Sequence, residues 1–364
     1  MLGRCASMSQ PTRKKVRELG IVIGTLPTGR KNCITDVSGV KVGHVTIDRP
    51  LDNGTQDYAC TGVTAILPHG GNLFQEKVTA ASYVINGFGK TTGLVQINEL
   101  GVLESPIMLT NTFSVPAVTL GTLQEMLAQN PEIGDTTGTI NVVVGECNDG
   151  YLNAIRRCVI QPEDARAAIM NATENQSEEG AVGAGKGMVC FGYKGGIGSS
   201  SRLVQIDGKE YSVGVLVLSN FGKKEEFQRD KYQQQFANVQ RSSTAIEHTS
   251  DGSIMIVLAT DAPVNERQLL RLAKRCAIGL GRTGSYYGHG SGDIVIAFST
   301  AHKIPHHSDH IVEKRMQLRE EHPVMNQLFT AASDATEEAI LNSLSKARTT
   351  KGRNGRVVEE YVFT

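Results

Sequence analysis

Gly252-Ser253-Ile254-Met255-Ile256-Val257-Leu258-Ala259 is the stretch that decides the fold, because a polar segment gives way there to an unbroken apolar run. A run of this length and composition predicts a strand that is buried on both faces. The first residue of the predicted strand is a serine, and a glycine precedes it. Glycine lets the backbone distort and leaves its carbonyl open to attack. The junction is therefore suited to a precursor that cuts its own chain before Ser253.

A cut at this junction would also create a base. It would place a free α-amine on Ser253, beside the hydroxyl of the same residue. An α-amine has an unperturbed pKa of about 7.7–8.0, which suits a base at neutral pH. One residue would then supply both nucleophile and base. The dipeptide alone does not decide the matter, because Gly-Ser also begins at Gly198, Gly284 and Gly290.

Composition limits the classes of protein to consider. The chain has 364 residues, of which 40% are hydrophobic and 20% charged, so it is predicted to be globular, with one large domain or two ordinary ones. Residues 1–20 are rich in basic side chains and are predicted to form a flexible tail. Lysine plus arginine (37) equals aspartate plus glutamate (37), which gives no electrostatic reason to expect nucleic acid as a partner. No apolar run approaches the roughly 18 residues of a membrane helix, so no membrane partner is expected. Seven cysteines without a Cys-x-x-Cys pair favour reduced thiols in a cytoplasmic protein.

The order of predicted elements indicates the fold class. Strands and helices do not alternate regularly, which favours a layered α/β sandwich over a doubly wound parallel sheet. Helical spacing predicts helices, and short apolar runs predict strands. The predicted helices cover residues 73–85, 162–170, 264–280 (with Asn265 as the cap) and 324–344; the predicted strands cover residues 140–144, 211–219, 254–260 and 294–298.

A glycine-rich segment, residues 180–187, nearly spells a phosphate-binding loop and includes Lys186. Gly187 stands where that motif needs a serine or threonine to ligate magnesium. The residues before the segment are polar and acidic, whereas a phosphate-binding loop follows a buried strand. A structural glycine loop is the favoured interpretation, and a nucleotide-binding protein is the less favoured alternative.

Polar residues at the ends of predicted strands are the other candidates. The amide of Asn220 would donate a hydrogen bond to a developing oxyanion. Glu146 and Tyr151 follow another buried strand. Ser291 and Asp293 lie two apart, on one face if the chain is extended. Each of these segments is also consistent with ordinary turn chemistry.

Taken together in order, these pieces resemble one family. They are Asn148-Asp149-Gly150-Tyr151, Lys194-Gly195-Gly196-Ile197-Gly198, Ser219-Asn220-Phe221-Gly222, Asp251-Gly252-Ser253 and Gly290-Ser291-Gly292-Asp293. The set resembles the L-aminopeptidase/D-esterase family, which comprises the DmpA-like and β-peptidyl aminopeptidases. The resemblance extends from about residue 21 to the end of the chain, and so implies a single catalytic domain over residues 21–364.

The resemblance implies a four-layer α/β/β/α sandwich, as in DmpA and the ornithine acetyltransferases, and cleavage into residues 1–252 and 253–364. It implies a homotetramer without metal or organic cofactor that releases N-terminal residues from small peptides, amino-acid amides or esters.

The resemblance also implies roles for single residues. Ser253 is similar to the nucleophile, Asn220 to the oxyanion donor, and Tyr151 to a group that positions the tetrahedral intermediate. Ser291 and Asp293 are similar to the pair that orients the new amine. As a hypothesis of our own, Glu146 binds the ammonium group of the substrate. An ornithine-acetyltransferase-like acyltransferase is the alternative, although those enzymes typically use a threonine nucleophile.

Overall fold

The computed structural model describes residues 13–51, 56–233 and 252–363. The helices are α1 (Leu94–Leu100), α2 (Val115–Gln129), α3 (Pro162–Met170), α4 (Arg229–Tyr232), α5 (Glu266–Thr283) and α6 (Val324–Lys346). The strands are β1 (Lys41–Pro50), β2 (Tyr58–Leu67), β3 (Glu76–Gly87), β4 (Val102–Leu103), β5 (Ile107–Asn111), β6 (Val143–Cys147), β7 (Val189–Cys190), β8 (Tyr193–Lys194), β9 (Gly196–Ile206), β10 (Lys209–Asn220), β11 (Ser253–Thr260), β12 (Gly292–Pro305), β13 (Thr350–Lys351) and β14 (Val357–Val358). Short 3-10 helices cover Val16–Leu19, Ile34–Asp36, Thr112–Ser114, Ile155–Arg157, Gly183–Gly187 and Arg353–Gly355.

The apolar run after Ser253 forms a central strand. Its sheet has the order β4-β3-β12-β11-β10-β9, so β11 has neighbours on both sides. It pairs antiparallel with β10 and parallel with β12. Every residue of β11 is buried. A strand enclosed on both edges and both faces needs a continuous apolar sequence, which confirms the prediction made from its composition.

Two sheets face each other in the middle of the molecule. The second sheet has the order β1-β2-β5-β6. Alternate residues of β11, among them Met255 and Val257, pack against Ile107, Leu109 and Val143 of the second sheet. Contact is close at Gly145, where a Cβ atom would stand 2.5 Å from Met255 Cε. The inner faces of both sheets therefore share one core.

Helices cover the outer faces. The other residues of β11, such as Ile254 and Ile256, pack under α5 and α6, while α3 and the start of α2 pack on the second sheet. The side chain of Asn265 accepts a hydrogen bond from the backbone of Gln268 and so caps α5 as predicted. The order of layers is α/β/β/α, which confirms the predicted four-layer sandwich.

The predicted helix over residues 73–85 is wrong, because most of this segment belongs to β3. Val78 and Ala80 belong to the core between the sheets, whereas Ala81, Tyr83 and Ile85 lie toward the helices. A strand that buries both faces carries apolar residues at almost every position. Such a sequence also satisfies helical spacing, so periodicity alone did not distinguish the two structures.

The predicted flexible tail over residues 1–20 also needs correction. Residues 13–20 are held against the domain, while residues 1–12 lie outside the described chain. Val16 is fully buried, and the ammonium group of Lys15 lies 2.7 Å from the carboxylate of Glu179. A run of basic residues predicts a solvated tail, but Lys15 of this run pairs with a buried carboxylate of the domain.

Candidate active site

Three strand ends meet at the start of β11. Ser253 pairs with Asn220, the last residue of β10, and with Gly292, the first residue of β12. Both Ser253 and Asn220 are 7% exposed, so the site lies just beneath the surface. Sheet register alone brings together two of the residues that the sequence selected. The side chains of Ser253 and Asn220 share the inner face of the sheet, in phase with Met255 and Leu218.

The peptide before Ser253 is held in a defined position. The backbone N–H of Gly292 donates to the carbonyl oxygen of Gly252 at 3.1 Å. The same N–H donates to Ser253 Oγ at 3.3 Å. The hydroxyl and the carbonyl that it would attack therefore share one donor. The position of Gly252 requires glycine, because a Cβ atom there would stand 2.7 Å from Phe221 Cα.

The amide of Asn220 is fixed at both ends. Its Oδ1 accepts from the backbone N–H of Val189, and its Nδ2 donates to the carbonyl of Asn148, each at 2.9 Å. A primary amide has two N–H donors. The second donor of Asn220 has no acceptor among the described residues, which leaves it available for a substrate oxygen.

Ser291 and Asp293 form a buried pair on the other face of the sheet. Ser291 Oγ donates to Asp293 Oδ1 at 2.7 Å, and no part of Asp293 is exposed. Burial raises the pKa of Asp293 to about 6, although the hydroxyl of Ser291 and the backbone N–H of Ile254 both favour the anion. Asp293 Oδ2 is buried and has no hydrogen-bond partner in the part of the chain that the structure describes. The carboxyl group thus has one unused acceptor beside the start of β11.

Glu146, at the end of β6 in the second sheet, reaches the same region. The backbone N–H of Lys90 donates to Glu146 Oε1 at 2.8 Å, and the hydroxyl of Thr112 donates to Oε2. Glu146 Oε1 and the Cα atom of Gly292 each lie 3.7 Å from the point where a Cβ atom of Gly89 would stand. The carboxylate of Glu146 and the start of β12 therefore lie on either side of Gly89, with no side chain between them.

Tyr151 has different surroundings. The guanidinium group of Arg356 lies 4.7 Å from the centre of its ring, and the ring packs with Leu152 and Val358. Asn148, three residues earlier, is the member of this loop that contacts Asn220. The assignment of Tyr151 to the tetrahedral intermediate stays a prediction from the resemblance.

The glycine-rich segment at residues 180–187 has the wrong polarity for a phosphate. Lys186 pairs with Asp48 at 2.6 Å rather than pointing into the loop. Backbone carbonyls of the loop, among them that of Gly185, accept from the ammonium group of Lys194. A phosphate-binding loop instead directs backbone N–H groups at an anion. The alternative of a nucleotide-binding protein is therefore wrong, and the structural glycine loop is the correct interpretation.

Ser253, Asn220 and Asp293 thus lie at the ends of neighbouring strands of one sheet, and Ser291 directly precedes β12. Residues 32–358 match the model of peptidase family S58. The chain belongs to peptidase family S58.

Known relatives of this family S58 peptidase are similar over nearly their whole length. The beta-peptidyl aminopeptidase of Sphingosinicella microcystinivorans is 38% identical, over 99% of this chain and 91% of that protein. A Pyrococcus horikoshii OT3 protein of known crystal structure is 46% identical, with a TM-score of 0.86 over 96% of both chains. The L-aminopeptidase D-ala-esterase/amidase of Ochrobactrum anthropi, described as a variant of the Ntn hydrolase fold, is 34% identical, with a TM-score of 0.85 over 96% of both chains.

These matches establish the class of enzyme. The S58 peptidase is a hydrolase, a serine aminopeptidase/amidase of the N-terminal-nucleophile type. Two of these relatives are named as aminopeptidases, so the alternative of an acyltransferase is not supported. No helix among the described residues has the length and apolar character that crossing a membrane requires.

Sequence reasoning missed three residues of the site. Gly292 and Asn148 stand inside the quoted motifs without a role assigned to them, and both act through backbone atoms. Val189 holds Asn220 through its N–H and lies 31 positions away in the chain. No signal in the sequence marks a backbone contact over that distance, because any residue except proline carries the same N–H.

Proposed function

We propose that this chain cuts itself between Gly252 and Ser253 and then works as an N-terminal serine aminopeptidase. The observation that carries the proposal is the shared donor: Gly292 N–H reaches both Gly252 O and Ser253 Oγ. Attack by Oγ on the carbonyl carbon of Gly252 would place the oxyanion on an oxygen that already accepts this hydrogen bond. The proton of the hydroxyl passes to the nitrogen of Ser253, the C–N bond breaks, and the acyl group is left on Oγ as an ester. Water hydrolyses the ester, which leaves a carboxylate on Gly252 and a free amine on Ser253.

The freed amine completes the catalytic group. It accepts the proton of the Ser253 hydroxyl, and Oγ attacks the carbonyl of the substrate. The unused N–H of Asn220 stabilises the oxyanion, and the proton passes to the leaving group. Water then releases the acyl group from Oγ. The unused Oδ2 of Asp293, with Ser291 fixing the other oxygen, orients the new amine. Tyr151 is retained as a group that positions the tetrahedral intermediate.

The proposed substrates are small peptides, amino-acid amides and esters with a free amine. Glu146 is buried, is held by two donors and faces the start of β12, so it would bind the substrate ammonium. Relatives are named for β-peptidyl and L-aminopeptidase activities, which supports this class. We also propose a cytoplasmic homotetramer without a metal or organic cofactor. Six cysteines of the described chain are free thiols, which agrees with a reducing compartment.

The test compares the wild type with Ser253→Ala by intact mass under denaturing conditions. The wild type is expected to give two fragments, the second beginning at Ser253, and the variant a single inactive chain. Hydrolysis of an amino-acid p-nitroanilide and of its N-acetylated form would be measured in parallel, and only the free-amine substrate should react. A wild type that is active while uncut would contradict the proposal.

A further inference from the structure

Lys194 is a fully buried lysine next to the site, and the mechanism above gives it no task. Its Nζ donates to the carbonyls of Met188 at 2.7 Å, Gly195 at 2.8 Å and Gly185 at 3.0 Å. An ammonium group has three N–H donors. All three donate to backbone oxygens, so three hydrogen bonds fix the position of Nζ.

The glycines of the loop make this shell possible. A Cβ atom on Gly185 would stand 2.5 Å from the backbone nitrogen of Ile197, and one on Gly195 would stand 2.6 Å from Cys190 Cβ. Both contacts are too close for any side chain. The glycine-rich sequence therefore lets carbonyls converge on a cation from three directions.

Burying this ammonium group costs free energy, and a neutral side chain could link the same segments without that cost. Burial lowers the pKa of Lys194 to about 7, while Cys60 and Asp149 favour its charged form and Lys186 opposes it. Asp149 is itself buried, and burial raises its pKa to about 7. Lys194 forms no ion pair within residues 13–51, 56–233 and 252–363. A buried cation without an ion pair is retained mainly where its charge or its donors serve a site.

One peptide group joins Lys194 to Asn220. The Met188 carbonyl that accepts from Lys194 and the Val189 N–H that donates to Asn220 belong to the same planar unit. A cation on the oxygen of a peptide polarises it and strengthens its N–H as a donor. Fixing the plane also fixes the direction of that N–H, and with it the plane of the Asn220 side chain.

We propose that Lys194 is a positioning residue for catalysis: it holds the Met188–Val189 peptide so that Asn220 presents its amide to the oxyanion. The inference rests on the proposed role of Asn220 as that donor. Lys194 contacts neither substrate nor nucleophile in this scheme. Self-cleavage does not depend on it, because the Gly252 carbonyl accepts from Gly292 instead.

The test is a double-mutant cycle with Lys194→Met, Asn220→Ala and the two combined. Each single variant is expected to mature normally and to lose about 10²-fold in kcat, with KM changed little. In the Asn220→Ala background, Lys194→Met should lower kcat by less than about threefold, because its effect passes through a group already removed. Equal losses in both backgrounds, or a folded Lys194→Met that stays uncut, would overturn the proposal.

Lys15→Met is the control for the removal of a buried ammonium group. Lys15 is also buried, and its Nζ donates to the backbone carbonyls of Asn32 and Ser199, away from the site, and pairs in addition with the carboxylate of Glu179. It should lose thermal stability as Lys194→Met does and keep its kcat; an equal loss of kcat would count against Lys194. If Lys194→Met fails to fold, Lys194→Gln, which keeps two N–H donors, replaces it in the same double-mutant cycle. Full activity of Asn220→Ala would instead remove the proposed role of Asn220.

Discussion

At Gly252 the backbone leaves no room for a side chain. A Cβ atom would stand 2.7 Å from Phe221 Cα and 3.1 Å from the carbonyl oxygen of Asn220. Both neighbours are backbone atoms, so neither can move aside as the end of a flexible side chain would. The same close approach keeps the Gly252 carbonyl on the N–H of Gly292. Glycine therefore suits the geometry of the proposed cleavage as well as access to the carbonyl.

Gly252→Ala is expected to slow self-cleavage by at least about tenfold, because a shift of the carbonyl away from its donor removes stabilisation of the oxyanion. The measurement is the rate at which the fragment beginning at Ser253 appears after synthesis. Gly288→Ala is the control, since a Cβ atom there would meet only the ring of Tyr286, from 3.5 Å outward. Equal cleavage rates in the two variants would contradict the explanation.

The buried carboxyl of Asp293 gives the uncut chain a specific pH dependence. Burial raises its pKa from 3.8 to about 6, so the folded uncut chain keeps this carboxyl group protonated to a higher pH than the unfolded chain does. Its stabilising contribution is full below about pH 4 and is lost as the pH rises through about 6. The shift of this pKa from 3.8 to about 6 corresponds to a difference of about 3 kcal/mol in the free energy of unfolding between low and high pH.

The free energy of unfolding would be measured between pH 4 and pH 8 for Ser253→Ala with and without Asp293→Asn. The amide cannot ionise, so the double variant should be the more stable at pH 8 and similar near pH 4. Measuring the difference between variants cancels the titration of other buried groups, such as Asp149. Curves that stay parallel over the whole pH range would show that Asp293 does not titrate as described.

Glu146 is the residue on which recognition of a free amine is expected to depend. Glu146→Gln should raise KM for an amino-acid p-nitroanilide about tenfold or more, because a hydrogen bond between charged groups contributes about 1.5–3 kcal/mol. Steady-state kinetics measure this, and Glu125→Gln, at an outer ion pair with Arg166, is the control. An unchanged KM would exclude Glu146 as the ammonium site.

Among the elements, β11 and α5 are the ones whose sequences predict them well. The apolar run of β11 and the Asn265 cap of α5 are local signals, and both elements appear where those signals stand. Segment 73–85 differs, because its apolar residues suit either a helix or a strand buried on both faces. Pairing with β12 and β4 decides that β3 is a strand. β4 is the next strand along the chain but follows only after α1, and β12 comes much later.

The contact between β9 and α6 depends on one glycine. A Cβ atom on Gly198 would stand 2.0 Å from the carbonyl oxygen of Ala339 and 2.6 Å from the nitrogen of Ser343. Gly198→Ala should therefore separate the helix from the sheet and cost at least about 1–3 kcal/mol of stability. Urea unfolding measures this cost. Gly138→Ala, where a Cβ atom would meet nothing within 4 Å, should change stability little; equal effects would contradict the packing argument.

At the scale of the whole molecule, the two proposed fragments are interleaved. β11 lies between β10, which comes before the cut, and β12, which comes after it. β12 pairs in turn with β3 from the first fragment. Helix α6, from the second fragment, packs on β9 and β10 from the first. Cleavage breaks one peptide bond and leaves these interfaces intact.

We therefore expect the cut protein to migrate as one particle under native conditions and as two chains after denaturation. Residues 253–364 expressed alone should not fold, because β11 would lack β10 and β12 would lack β3. Size-exclusion chromatography and denaturing electrophoresis of the same sample measure this. Fragments that separate without denaturant would contradict it.

The sequence by itself determined the buried strand at Ser253, the layered class and, through ordered motifs, the family and the candidate residues Asn220, Ser291 and Asp293. Each of these features depends on a local pattern of neighbouring residues, which can be read directly from the sequence. Only the tertiary structure decided that β3 is a strand, that Glu146 reaches the site from the other sheet and that Lys194 meets Asn220 through one peptide group. These contacts join residues that are far apart in the chain, and several of them are made by backbone atoms. Because every sequence has the same backbone atoms, no residue type predicts such contacts.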